Sequence, residues 1–425
     1  MARKFVNISM EKSSKIFQPH HIGFIAISVL MLLSWALKIV GVIDVIKIWN
    51  WDSYDVTEFL INYQAGFVRR GLLGELLYKY SISTGLTPKI PILVICILSY
   101  IIVLWFFLRQ FHKHKLIWWL VFTTFLCGMF ENFIRKDYLM YALIIAEIYL
   151  ARKGIKTYSQ ALIITAISIF GLLLHEAYIF FGVPFVALMM LRSNKWKVFL
   201  PMLITIVLVF GVLAYFKGDE SYVRHIMDSW NTFLKGDYLN PNDANSISAL
   251  GWSAEFAIKL HWDLNTFMFT HPWIPTWIVI MMRMFFYILT YYYITNFLYV
   301  FKFKADFSNI DRWNISALYL FSTMCLLPLF LFFSCDYGRV YQYAWMTTFI
   351  IYLLIPRGYI RQLFGTKFIN FAKLISEKVN RILIPNKSIM VFMLLFLAES
   401  ITLYQPEESF GISPVGTVIM WLSKL

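Results

Sequence analysis

"IGFIAISVLMLLSWALKIVGVI" occupies residues 22–43 and carries one charge, Lys38. Crossing the hydrocarbon core of a bilayer takes about 20 consecutive apolar residues in a helix. A basic N-terminus precedes the run, but it is too long for a signal-peptide core and no A-x-A site follows. It therefore reads as a retained transmembrane helix. Outward from it, comparable apolar runs recur at 90–108, 116–133, 138–151, 158–174, 177–191, 198–216, 273–301, 313–333, 340–356 and 389–404. The runs at 138–151 and 177–191 are short enough to be broken helices.

Composition agrees with this reading. The 425 residues are 60% hydrophobic and only 15% charged, where a soluble domain has roughly a quarter of its residues charged. Phe 40, Tyr 25 and Trp 15 suit lipid-facing helices and interfacial aromatic belts. The expected fold is an all-α, polytopic integral membrane protein of about eleven transmembrane helices, one domain over 1–425.

Lysine and arginine bias orients such a chain. With the N-terminus inside, the inner segments are 1–21, 109–115, 152–157, 192–197, 302–312 and 357–388. They hold 23 Lys/Arg and 4 Asp/Glu, against 13 and 17 in the outer segments. The net charge of +14 is thus a topology signal and does not call for nucleic acid. Cys96, Cys127, Cys325 and Cys335 include no C-x-x-C pair, so neither a disulfide framework nor a zinc site is expected. There is no internal repeat and no Gly-rich phosphate loop, and no cofactor is expected.

Two outer segments are long. Residues 44–89 contain "NWDSYDVTEF" (50–59) and "NYQAGFVRRGLLGELLYKY" (62–80). Residues 217–272 contain "KGDESYVRH" (217–225) and "NPNDANSISALGWS" (240–253), with turn signals at Asn240-Pro241 and Gly251. On the inner side, 357–388 alternates basic and apolar positions, as does an amphipathic helix on anionic lipid. In 59–80 apolar residues recur at helical spacing, interrupted at Gly66 and Gly71. One or two interfacial helices are expected there, holding Arg69 and Arg70 at headgroup depth with almost no acidic neighbour.

Three further charged groups fall at outer span ends. "ENFIRKDY" (131–138) supplies Glu131, Arg135, Lys136 and Asp137; "LLLHEAY" (172–178) supplies His175 and Glu176; "CDYGRVYQY" (335–343) supplies Asp336 and Arg339. Charges at membrane depth are expensive and mark paths or sites. Four clusters on one face point to one outward-open cavity. Each group also has a plainer reading: a solvated hairpin tip at 135–137, lipid-phosphate anchors at Arg69–Arg70, an i, i+3 pair at Asp336–Arg339, a satisfied structural pair at His175–Glu176. Lys38, Glu147, Arg283 and Glu399 stand singly within spans and read as snorkelling or interhelical contacts.

Arginine grips phosphate with a planar fork and stays charged. Several arginines with few balancing acids predict a lipid phosphate or diphosphate ligand, bound by Arg69, Arg70, Arg135, Lys136 and Arg339. His175, Glu176, Asp55, Asp52 or Asp336 would take a proton from an acceptor hydroxyl. Trp49, Trp51, Tyr54, Tyr337, Tyr341 and Tyr343 suit stacking on sugar rings.

"GFVRRGLLGELLY", with the later "RKD", "HE" and "DYGR", resembles polytopic proteins of bacterial surface-polysaccharide clusters, the O-antigen and capsule polymerases of the Wzy kind. The first helix, outer loop with Asp and interfacial helices are also similar to GT-C membrane glycosyltransferases. The resemblance implies an oligosaccharide on undecaprenyl diphosphate at the outer face of the bacterial inner membrane. It further implies arginines that stabilise the departing diphosphate and a chain-length regulator as a candidate partner. By GT-C analogy Asp55 or Asp52 is the base; by Wzy analogy it is His175 or Glu176. "DSYD" lacks the DxD spacing of a metal-dependent transferase. A membrane acyltransferase using His175 and a polysaccharide flippase are the alternative expectations.

Overall fold

The computed structural model describes residues 22–113, 133–234, 239–240, 245–253, 255–259, 287–296, 309–330, 337–386 and 413–423, with a few residues between 389 and 395. The expected spans 116–133, 273–301, 313–333 and 389–404 lie wholly or partly outside them, as do Glu131, Arg283, Asp336 and Glu399.

Among the described residues every regular element is a helix. In chain order they are α1 (Ile22–Lys47), α2 (Tyr54–Leu60), α3 (Gly71–Thr84), α4 (Lys89–Lys113), α5 (Asp137–Ala151), α6 (Tyr158–Leu174), α7 (Tyr178–Phe181), α8 (Val183–Leu191), α9 (Trp196–Tyr215), α10 (Glu220–Asn231), α11 (Asn309–Cys325), α12 (Tyr337–Leu354), α13 (Arg357–Ile382) and α14 (Pro414–Leu422). The apolar run at 177–191 is two helices, α7 and α8, parted at Gly182.

Among the described residues three helices, α1, α4 and α9, are long and apolar enough to cross a membrane. Only 22% of the apolar window is buried in α1 and in α9. Val29, Leu32 and Leu33 on α1, and Val207 and Leu208 on α9, face outward. Apolar surface of that extent is stable when lipid is the solvent. The protein is a helical membrane protein.

The bundle has two distinguishable ends. At one, α1 and α4 meet through Lys89 Nζ, which donates to the Ile46 carbonyl at 2.9 Å. Arg69 N–H donates to the Phe216 carbonyl at the end of α9 (3.0 Å). At the other end Arg357 of α13 pairs with Asp311 of α11 at 2.6 Å, and Tyr352 donates to the same carboxylate (3.0 Å). The basic helix α13 lies there against α11. It buries Ile360, Leu363 and Ala372 and exposes Arg361, Lys367, Phe371, Leu374, Lys378 and Arg381.

Local signals place the short outer elements. Ser53 caps α2 by accepting from Val56 N–H, and Asp219 caps α10 through Ser221 and Tyr222. The chain between α2 and α3 packs unusually close to α3. A Cβ on Gly74 would lie 1.9 Å from the Ile61 carbonyl oxygen, and one on Gly71 would lie 2.3 Å from the Tyr63 ring. Glycine at both positions allows α3 to fold back onto α2. The described residues at 229–230 and 245–246 then close over α2. Trp230 donates to the Leu60 carbonyl (2.7 Å), Asn62 to Ser229 (2.9 Å), Ser246 to the Tyr54 carbonyl (2.7 Å) and Asn245 to Asp52 (2.9 Å).

Candidate functional site

One cluster of ionisable side chains lies where α2, the turn before α3, the start of α5, the turn after α6 and the start of α12 converge. It contains Asp55, Glu58, Arg69, Arg70, Arg135, Lys136, Asp137, His175, Glu176 and Arg339. The groups at 69–70, 135–137, 175–176 and 339 are thus brought into one site. Asp336 lies outside the described residues.

The geometry departs from the sequence expectation in charge balance. Five cations face four carboxylates, and each arginine has a carboxylate. Glu176 accepts from Arg69 Nη1 (3.2 Å) and from Arg70 Nε and Nη2 (2.7 and 2.5 Å). Asp55 pairs with Arg135 Nε at 2.6 Å. Asp137 accepts both arms of Arg339 at 2.8 Å and the Tyr343 hydroxyl at 2.7 Å. The acids were obscured in sequence because they stand on other segments, up to 202 residues away.

Backbone conformation aims the arginine pair. Arg70 has φ +64°, the left-handed region, directly before α3. A non-glycine residue there is costly, and such positions concentrate at functional sites. Lys136 fastens this corner. Its ammonium donates to the Arg70 carbonyl (3.3 Å) and to the Leu174 carbonyl at the end of α6 (3.4 Å). Lys136 is 0% exposed, and it holds the backbone that carries Arg70. Burial lowers its pKa to about 8, with Glu58 opposing.

The candidate bases now differ from one another. Burial alone would raise the Glu176 carboxyl, but Arg70 and Arg69 hold it well below the usual range. Glu176 is therefore a fixed anion. His175 is buried, and desolvation with the Arg70 charge keeps it neutral, well below its ordinary value. Its Nδ1 accepts from Ala177 N–H at 3.1 Å, which leaves the proton on Nε2. That Nε2–H faces Glu58 Oε1 at 3.5 Å, so neither nitrogen is open to take a proton. Asp52 is held by Asn245 and ties the second outer segment to the first. Asp55 has a side chain 30% exposed, the highest among the cluster's acids. Burial raises its pKa, with Arg135 and Arg339 opposing. Asp55 alone combines access with a readiness to protonate.

Two further expectations change. Arg135 is not a solvated hairpin tip, since its guanidinium is largely buried on Asp55. Tyr343 is not open for sugar stacking. It is buried, stacked on Phe181 with centroids 4.1 Å apart, and bonded to Asp137.

Sequence reasoning missed Glu58. It is buried beside His175 Nε2 and 3.9 Å from Arg339 Nη2. The available signal was the spacing "DVTE": Asp55 and Glu58 are i, i+3 and share one helix face. Among the described residues no group of three His, Cys, Asp or Glu side chains has the geometry to hold a metal ion. Comparison with protein-family models, with curated proteins and with solved structures finds no match.

Proposed function

We propose that the chain is a multi-pass glycosyltransferase or polymerase of bacterial surface polysaccharide. It acts on an undecaprenyl-diphosphate-linked oligosaccharide at the outer face of the cytoplasmic membrane. About eleven spans with the N-terminus inside would put the charged cluster on that face, as the lysine and arginine bias requires. The observation that carries the reading is Asp55, a partly exposed carboxylate on Arg135, in the same cluster as the Arg69–Arg70 pair held by Glu176.

In this reading Asp55 takes the proton of an acceptor sugar hydroxyl. The hydroxyl oxygen bonds to the donor's anomeric carbon as the carbon–oxygen bond to the diphosphate breaks. The electron pair leaves with the diphosphate. Arg69 and Arg70 would hold that leaving group, which displaces Glu176 from their forks. Both arginines are reachable, whereas Arg339 is committed to Asp137. An acyltransferase centred on His175 fits less well, because its Nδ1 is occupied and its Nε2–H faces a carboxylate. A flippase needs charges along the depth of a path. The dense cluster here gathers at one end.

The test is deletion in the source bacterium, with the surface glycan run on a gel beside strains carrying Asp55→Asn, Arg69→Ala, Arg70→Ala and His175→Ala at equal protein levels. Loss of the long-chain ladder, with one repeat unit left on the lipid core, supports the polymerase. Loss of all glycan beyond a truncated core, copied by Asp55→Asn, supports a single-sugar transferase. An unchanged ladder with a mass shift for a missing acyl branch overturns the reading.

A further inference from the structure

Neither the sequence nor the proposed reaction gives Glu58 a task, and unlike Asp137 its oxygens accept no hydrogen bond among the described residues. It lies on α2, one turn from Asp55 and on the same face. The two differ in access: Asp55 is 30% exposed and Glu58 is 1% exposed. Neither Glu58 oxygen has a hydrogen-bond partner among the described residues. Donors surround it without closing on it. His175 aims Nε2–H at Oε1 from 3.5 Å, and Arg339 Nη2 stands 3.9 Å from Oε2 with its fork already on Asp137. The Lys136 ammonium is spent on two carbonyls. A buried carboxylate supplied with charges but no bonds is costly to fold, and calls for an explanation in function.

We propose that Glu58 is the positioning carboxylate of the site: buried one helical turn from Asp55, it offsets the surrounding guanidiniums so that Asp55 keeps its affinity for a proton. The inference rests on the reading of Asp55 as the base. Two cations face Asp55, Arg135 from the turn before α5 and Arg339 from α12, and both favour the ionised form. From α4, Cys96 approaches the pair of acids. Among the described residues Glu58 is the acid that acts on Asp55 in the opposite sense. Its own surroundings are His175 from the turn after α6, Arg70, Lys136, and Arg339 and Tyr343 from α12. An Asp55 left with the two arginines alone would stay ionised and make a weak base.

The experiment uses the full chain in detergent. Carbodiimide activation of a carboxyl needs a proton, so coupling to an amine slows as the carboxyl ionises, and peptide mass spectrometry reads its rate at Asp55 across pH. Glu58→Gln should move the midpoint of Asp55 labelling down by about one pH unit. Glu58→Asp, which keeps the charge but retracts it, should move it the same way by less. An unmoved midpoint in a variant that elutes and melts like wild type overturns the proposal. Should Glu58→Gln not fold, an unmoved midpoint in Glu58→Asp overturns it equally. The acid limb of kcat for sugar transfer should follow the labelling midpoint. A shifted midpoint in a protein without transfer activity would sink the transferase reading and leave the role of Glu58 standing.

Discussion

Arg339 lays both arms of its guanidinium on Asp137, Nε to Oδ2 and Nη2 to Oδ1 at 2.8 Å each, and so joins the start of α12 to the start of α5. The Tyr343 hydroxyl completes the carboxylate's shell at 2.7 Å. Removing one partner of a buried pair costs more than removing both, because a desolvated charge is left behind. Asp137→Asn should destabilise the detergent-solubilised protein by about 3–5 kcal/mol, read as a large fall in Tm. The double variant Asp137→Leu with Arg339→Met should recover much of that loss. Additive losses would mean the two residues are not energetically coupled.

Stability should also depend on His175 near neutral pH. Burial and the Arg70 charge hold its folded-state pKa well below 6.5. The unfolded chain therefore binds a proton that the folded chain refuses. The neutral imidazole's contribution is complete above 6.5 and is lost as pH falls below it. Wild-type Tm should decline between pH 7.5 and 5.5. His175→Asn keeps an acceptor for Ala177 N–H and cannot protonate there, so its Tm should be flatter over that range. Parallel curves would assign the decline to another group.

Glu176 occupies the forks of Arg69 and Arg70 that the proposed reaction gives to a diphosphate. Glu176→Gln keeps the shape and removes the competing charge. Inorganic pyrophosphate should bind this variant about tenfold more tightly than wild type, a change of about 1.4 kcal/mol, and Arg70→Ala more weakly. Isothermal titration at fixed ionic strength measures both. Equal affinities in all three proteins would show that these arginines do not meet phosphate.

Gly74 is the contact point between α3 and the chain leaving α2. A methyl there would enter the Ile61 carbonyl oxygen, so α3 has to move away from the segment that carries Asp55 and Glu58. Gly74→Ala should cost about 3 kcal/mol or more and reduce the yield of folded protein. Gly85→Ala tests the opposite case at the far end of α3. No atom lies within 4 Å of that Cβ, and only the strain of φ +67° applies, so its cost should be about 1 kcal/mol. Similar melting of the two variants would place α3 elsewhere.

What the sequence determines by itself is local. The apolar runs at 22–43, 90–108, 158–174 and 198–216 become the helices Ile22–Lys47, Lys89–Lys113, Tyr158–Leu174 and Trp196–Tyr215, because a helix in lipid satisfies its backbone within its own segment. Arg69, Arg70, Arg135, His175, Glu176 and Arg339 stand out in the sequence because charges at span ends are rare and costly, and the fold gathers them into one cluster. Which charge meets which is not legible. The partner of Arg70 is 106 residues away and that of Arg339 is 202 away. Only packing of the helix ends decides that Glu176 bridges two arginines, that Lys136 holds carbonyls and faces no solvent, and that Tyr343 serves Asp137. Burial separates Asp55 from Glu58, two acids with the same spacing signal and opposite access. Exposure depends on what the second outer segment covers, and its contacts at Trp230, Asn245 and Ser246 exist only once the chain has folded over α2.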